Sequence, residues 1–433
     1  MPSTGSLIKK NMQNLFIKGI FILFFNISFS QQLKPNFLET VGIDSKRFER
    51  VLDQLENLSK ERKVPGTVTL IYKDNQLILN QANGFKDLEK KIPMNSDDIF
   101  RIASQTKLVI SVGIMILQEE GKLLITDKLS KYIPEFKDSK VAEFKDGGGF
   151  TEVKAKNEIT IKNLLTHTAG IGYGMGIGAE KWKESNVQGF YFAHLDEPIL
   201  QTVKKMASLP QEAHPGTKFT YGYNYDILGA VIEVVSGQSL DKFLKEKIFD
   251  PLDMIDTSFY LPKEKLSRLT TVYIYDSEND SIYRAPEEGT YNSQGHYYKG
   301  PRKSFSGGAG LLSTSSDYGN FLLMILNQGQ YKDQKILSRK SVELITRDNL
   351  NGVNYPWGDG WSFGLGVAVT LDSGAMSLIG SDGQIIGGGA YRTEFWVDPK
   401  ENLVVLFLTQ LRDENYELKY HEKIRALIYQ SLN

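Results

Sequence analysis

The stretch Phe100-Arg-Ile-Ala-Ser-Gln-Thr-Lys107 sets a hydroxyl and an ammonium three residues apart where an apolar helical pattern begins. With a helix over 105–120, Ser104 stands at its N-terminus and Lys107 lies one turn along on the same face. Lysine can then take or relay the serine proton, and the positive end of the helix dipole favours the alkoxide and oxyanion that follow. Such a serine is an acyl-transfer nucleophile.

Spacing alone leaves that reading open. Ser-x-x-Lys also occurs at Ser6/Lys9, within an export-like segment, and at Ser239/Lys242, which opens a lysine-rich run through Lys245 and Lys247. The last reads as a solvated surface pair. Only the middle pair has apolar walls on both sides, Ile99, Phe100 and Ile102 before it and Leu108, Val109, Ile110 and Val112 after it. A lysine turned into such a helix is costly to bury unless it has a partner or a chemical task.

Composition narrows the chemistry. The 433 residues are 41% hydrophobic and 24% charged, enough for a large globular core. With 51 basic against 52 acidic residues there is no electrostatic footprint for nucleic acid. The absence of cysteine excludes disulfides, thiolate catalysis and cysteine-ligated zinc. His167, His194, His214, His296 and His421 are scattered without ligand spacing, so no metal and no cofactor are expected. Gly-x-Ser-x-Gly does not occur, which argues against an α/β-hydrolase elbow.

The N-terminus reads as a secretory signal over residues 1–30. Lys9, Lys10 and Lys18 precede the apolar run Gly19-Ile-Phe-Ile-Leu-Phe-Phe25, and Ser28-Phe-Ser30 supplies small residues before Gln31. Met12 is an alternative initiator. A transmembrane anchor is the rival reading, disfavoured by Asn26 and the short apolar core. The expectation is an exported, periplasmic or secreted protein with one catalytic unit over 31–433.

Periodicity then divides that unit. Asp44 or Ser45 caps a helix over 46–62, with Phe48, Val51, Leu52, Leu55 and Leu58 on one face, and Val64-Pro-Gly66 stops it. Strands over 67–72 and 77–82 flank Lys73-Asp-Asn-Gln76 as a hairpin. From Ile99 to about residue 350 the signals are mainly helical, at 105–120, 161–165, 226–235 and 317–326. Strands return at 362–370, 377–380, 393–397 and 403–409, before a final helix over 416–432. The fold class is α+β: a mainly antiparallel sheet flanked by terminal helices, with an inserted, mainly helical lobe. The sheet lobe spans about 40–98 and 351–433, the helical lobe about 99–350, and catalytic groups should meet between them.

Several stretches together resemble the serine β-lactamase and D,D-peptidase superfamily, in particular the class C-like branch that contains the family VIII carboxylesterases. They are the 100–107 segment, Leu164-Leu-Thr-His-Thr-Ala-Gly170, Pro215-Gly-Thr-Lys-Phe-Thr-Tyr-Gly222 followed by Asp226-Ile-Leu-Gly229, Ser306-Gly-Gly-Ala-Gly-Leu-Leu-Ser-Thr314, and Phe395-Trp-Val-Asp-Pro399. The resemblance runs from about residue 45 to 430 and implies a β-lactamase/transpeptidase-like fold. It makes Ser104 the residue that forms the acyl-enzyme, with Lys107 and Tyr221 sharing its proton. Burial and clustering of the amine and the phenol lower the cost of moving one proton between them. The resemblance leaves open which of the two is the formal base.

Two departures bear on substrate. Relatives often carry an asparagine two residues after the tyrosine, where it bonds a substrate amide; Tyr223 stands there instead, a candidate substrate contact, with Asn224 one step later. The third motif, normally Lys-Thr-Gly, His-x-Gly or Trp-Gly-Gly, is Gly387-Gly-Gly389. Three glycines admit close backbone approach, and the N–H of Ala390 can pair with that of Ser104 as an oxyanion hole. Gly387, Gly388 and Gly389 offer no cation for a substrate carboxylate, which leaves Arg392 as the candidate substitute.

Of the remaining signals, His167 is expected to brace its loop. The alternating glycines of 170–178 read as a mobile loop at the cleft rim. Tyr291, Tyr297 and Tyr298 are candidates either for a cleft lining or for loop packing. The sequence therefore points to an exported serine hydrolase, esterase-like on small esters or amides. The alternatives are a D-amino-acid peptidase or weak β-lactamase, and a non-catalytic peptidoglycan- or ligand-binding relative. The complete Ser104, Lys107, Tyr221 set argues against the last.

Overall fold

The computed structural model describes residues 35–433, apart from positions 62, 190, 290, 291, 414 and 416. The proposed signal over 1–30 lies outside the described residues, as do Tyr291 and Tyr416.

An antiparallel sheet of eight strands organises the molecule. Its strands are β1 (Gly66–Lys73), β2 (Gln76–Asp87), β3 (Ile92–Pro93), β4 (Trp361–Phe363), β5 (Ala368–Thr370), β6 (Ile385–Gly389), β7 (Thr393–Asp398) and β8 (Leu403–Leu408), in the spatial order β4-β5-β6-β7-β8-β1-β2-β3. β1 and β8 pair centrally, with Val68 opposite Leu408 and Lys73 opposite Leu403, so both ends of the chain build one sheet.

Alternation along β8 feeds two cores. Val404, Leu406 and Leu408 face the helices of the central segment, while Leu403, Val405 and Phe407 face the terminal helices. All six are buried, each contributing about 1.5–3 kcal/mol by leaving water. A strand buried on both faces therefore reads as an unbroken apolar run.

On the outer face lie α1 (Ser45–Lys60) and the last helix, Tyr420–Tyr429. The Asp44 side chain accepts from Arg47 N and caps α1. Asp44 N in turn donates to Ser431 O at 2.8 Å, which ties the start of α1 to the segment after the last helix. Against the inner face lies the central segment with α2 (Thr106–Glu119), α3 (Ile161–Leu165), α4 (Asn224–Ser236) and α5 (Ser315–Leu326). Buried residues lie on every side of α2, the pattern of a core helix.

Several expected boundaries move. The strand expected at 362–370 is two strands, because Gly366 takes φ +84 and turns the chain. A Cβ at Gly366 would also stand 2.7 Å from the Tyr225 hydroxyl, so the turn requires glycine. The segment 377–380 is a loop, and the strand falls instead on Ile385–Gly389. The central segment also carries two hairpins, Lys140–Phe144 with Phe150–Lys154 and Tyr273–Asp276 with Ser281–Arg284. No helix among the described residues is long and apolar enough to cross a membrane.

Candidate active site

Ser104 lies in a tight turn, Ala103–Gln105, that immediately precedes α2. Ala103 there takes φ +44, an uncommon conformation for a residue with a side chain. The surroundings hold it. Ile102 N donates to Leu311 O at 3.1 Å, and Phe100–Arg101 pair with Leu312–Ser313. The buried Arg101 guanidinium donates to the carbonyls of Gln294 and Thr270. β6 closes the other side: a Cβ on Gly389 would stand 2.4 Å from the Ile102 carbonyl oxygen, so glycine lets the strand reach this turn.

Lys107, on the first turn of α2, is 2% exposed. Its Nζ lies 3.0 Å from Ser104 Oγ and donates to the Gly308 carbonyl at 2.7 Å. The same nitrogen lies over the Tyr221 ring, 4.7 Å from its centroid. The structure thus brings Ser104, Lys107 and Tyr221 together, and Tyr221, at 37% exposure, faces solvent on one side.

Beneath Tyr221 lies His167, their ring centroids 4.3 Å apart. The Asn224 amide nitrogen donates to His167 Nδ1 at 2.9 Å, which leaves the ring proton on Nε2. Burial, and then the positive charge of Lys107, hold His167 well below the usual imidazole value, so the ring is neutral. His167 also accepts through its backbone carbonyl from Thr220 N at 2.7 Å. It braces the segment that presents Tyr221.

A second set of contacts lies behind Lys107. Asp226, in the first turn of α4, is fully buried, and its Oδ1 accepts from Ser306 Oγ at 2.6 Å and from Gly308 N at 3.2 Å. Burial pushes this carboxyl up to about 6, despite the opposing pull of the Ser306 hydrogen bond and of Lys107. Asp226, Ser306 and Gly308 lie within the quoted motifs, which by themselves assign them no role. The available signal was a carboxylate five residues after Tyr221, opposite a glycine pair.

The substrate-side candidates divide. Gly387, Gly388 and Gly389 form β6, opposite Phe395, Glu394 and Thr393 of β7. Ala390 follows in the turn closed by Arg392 N donating to Gly389 O at 2.9 Å. Arg392 itself is buried behind the sheet: its guanidinium donates to Leu418 O at 2.5 Å and lies over the Tyr420 ring, with Asp413 3.8 Å away. Tyr223 is likewise buried, stacked on Trp182, its hydroxyl accepting from Gly189 N. Neither side chain is presented beside Ser104, because the turn that ends β6 and the start of α4 direct them into packed layers.

The glycines of 170–178 have a packing explanation. A Cβ at Gly172 or Gly176 would fall within 2.5 Å of the Glu212 carboxylate, so the loop is folded around that side chain. Tyr297 is buried and stacked on Tyr191, which makes it a core residue. Ser239 precedes a short helix whose Lys242 is exposed. Two cavities of about 490 and 320 Å³ open elsewhere, and neither is lined by Ser104, Lys107 or Tyr221. Among the described residues, no group of three or more His, Asp or Glu side chains is placed to hold a metal ion.

A serine beside a buried lysine and a phenol, with a bare strand edge alongside, is the arrangement of an acyl-transfer enzyme. The Beta-lactamase family profile matches residues 49–430, and the chain belongs to that family. Protein Rv1367c of Mycobacterium tuberculosis is 30% identical over 357 residues, 80% of this chain and 85% of its own. Esterase EstB of Burkholderia gladioli is 27% identical over 395 residues, 88% of this chain and 94% of its own. Among solved structures, EstCE1, a hydrolase with promiscuous acyltransferase activity, superposes with a TM-score of 0.77 at 25% identity, covering 89% of this chain and 99% of its own. The protein is a serine hydrolase with the β-lactamase/transpeptidase-like fold.

Proposed function

We propose that this hydrolase is exported and opens small, uncharged esters or amides through an acyl-enzyme on Ser104. The observation that carries the reading is the buried Lys107 Nζ 3.0 Å from Ser104 Oγ and packed on the Tyr221 ring. Ser104 Oγ attacks the carbonyl carbon as its proton passes to the Lys107/Tyr221 pair. The pair returns that proton to the departing oxygen or nitrogen, and a water molecule then releases the acid by the same steps.

The oxyanion hole is assigned to the N–H groups of Ser104 and Ala390. Gly389 C=O faces into its hairpin turn, and a trans peptide points the following N–H the opposite way. The approach of Gly389 to the Ile102 carbonyl keeps that peptide beside the Ser104 turn. Gly387 and Gly388 contribute backbone alone to substrate binding. The burial of Arg392 and Tyr223 favours esters over carboxylate-bearing substrates, and hence over the second reading, a D-amino-acid peptidase or weak β-lactamase.

Intact-mass measurement after incubation with a fluorophosphonate, a p-nitrophenyl ester and a penicillin tests the reading. A serine adduct from the first two, with little from the third, is expected; stable acylation by penicillin alone would reverse the preference. For export, the secreted protein should begin at Gln31, and a mature N-terminus at Met1 or Met12 would mean a retained anchor.

A further inference from the structure

We propose that Asp226 is a positioning residue for Lys107: through Ser306 and Gly308 it aims a backbone carbonyl at the lysine and places a carboxylate behind it. The inference rests on the reading of Lys107 as the proton relay.

The contacts form a closed set. Asp226 Oδ1 accepts from Ser306 Oγ (2.6 Å) and Gly308 N (3.2 Å), and Ser306 Oγ accepts from Ala309 N (3.1 Å). The 306–310 turn closes through Gly310 N donating to Ser306 O at 3.0 Å. Clamped in this way, Gly308 turns its carbonyl to Lys107 Nζ at 2.7 Å. A Cβ at Gly308 would lie 2.5 Å from Asp226 Oδ2, so glycine is what admits the carboxylate so close. The clamp reaches the site through Lys107, whose Nζ also lies 3.0 Å from Ser104 Oγ.

Charge adds to geometry. A fully buried carboxylate is unfavourable without a cation. The helices packed on α4 are α2, α3, Ile199–Met206 and Leu240–Leu244, carrying Lys107, Glu119, Lys162, Lys204, Lys205, Asp241 and Lys242. Of these, Lys107 is the one whose charge acts appreciably on Asp226. The attraction is mutual, so an ionised Asp226 also holds the Lys107 side chain in place. A purely structural carboxylate would make the same clamp without altering proton transfer.

The test compares the full-length wild type with Asp226→Asn, Ser306→Ala and Lys107→Ala. It follows kcat/KM for p-nitrophenyl butyrate between about pH 5 and 9, together with Tm. Wild-type activity should fall below about pH 6 as Asp226 takes up a proton. Asp226→Asn keeps an acceptor for both donors, so Tm at neutral pH should hold or rise. Its kcat/KM should drop about tenfold or more, and the limb near pH 6 should vanish. Ser306→Ala removes a bond that lowers the Asp226 pKa, so its acid limb should move upward. That variant carries the test if Asp226→Asn fails to fold. Unchanged limbs in both variants, or a uniform loss at every pH, would overturn the proposal. Fluorophosphonate labelling of Lys107→Ala tests the underlying reading separately: labelling at the wild-type rate would remove Lys107 from the relay whatever Asp226 does.

Discussion

The two sides of Ser104 are built on opposite plans. On the Lys107 side, buried groups interlock: Lys107 meets the Gly308 carbonyl, and Gly308 and Ser306 meet Asp226. On the β6 side, Gly387-Gly-Gly389 offers main chain only, and the nearest sequence candidate for a cation, Arg392, is committed to Leu418, Tyr420 and Asp413. On the proposed reading, the contrast assigns the specific side-chain contacts to moving a proton and leaves substrate contact to backbone. On that reading the serine is activated without a charge on the substrate.

The largest expected effect is on the proton-handling side. Ser104→Ala should lower ester hydrolysis by at least about 10⁴-fold and remove fluorophosphonate labelling, while Ser239→Ala should leave both near normal. An adduct persisting on folded Ser104→Ala protein would break the comparison at its root.

Gly389→Ala probes the backbone side. Its Cβ would meet the Ile102 carbonyl at 2.4 Å and Thr393 Oγ1 at 2.5 Å. Pushing β6 from the Ser104 turn should cost about 1–3 kcal/mol of stability and lower kcat more than it raises KM. Denaturant unfolding and steady-state kinetics read the two effects. Wild-type kcat with unchanged stability would mean that the strand does not need to reach the turn.

A moderate effect is expected in substrate choice. A charge-assisted hydrogen bond to a carboxylate is worth about 1.5–3 kcal/mol, so its lack costs on the order of ten- to a hundredfold in kcat/KM. p-Nitrophenyl butyrate should therefore outrun a cephalosporin reporter, and Arg392→Ala should lower Tm without changing that ratio. A ratio that shifts towards esters in Arg392→Ala would bring the arginine into the site after all.

The smallest effect on activity belongs to the packed layer behind β7. His421 Nε2 lies 3.1 Å from Arg392 O, and burial, then the Arg392 charge, push the imidazole down to about 3. Between that value and about 6.5 the unfolded chain binds a proton that the folded chain does not, so stability is lost as pH falls through this window. His421→Gln should flatten that acid loss in urea titrations and leave kcat/KM at pH 8 within about twofold. A large fall in kcat/KM would show that the rear layer reaches the site.

What the sequence determined is short-range. The short apolar runs of β1, β7 and β8, the Asp44 cap, the apolar α2 and the three-residue step from Ser104 to Lys107 are all set by neighbouring residues and local backbone geometry. They were therefore legible, within a few residues, in one chain. The strand expected at 377–380 failed because apolar content without pairing partners does not make a strand; the pairing went to Ile385–Gly389 opposite β7. Only the tertiary structure decided that Lys107 meets the carbonyl of Gly308, 201 residues away, and that Asp226 meets Ser306, 80 residues away. It also turned Arg392 and Tyr223 away from the serine, although both stand within a few residues of site positions. Periodicity states which face a residue occupies; which group waits on that face depends on how distant segments pack, and buried polar groups take the partners that packing brings within hydrogen-bond reach.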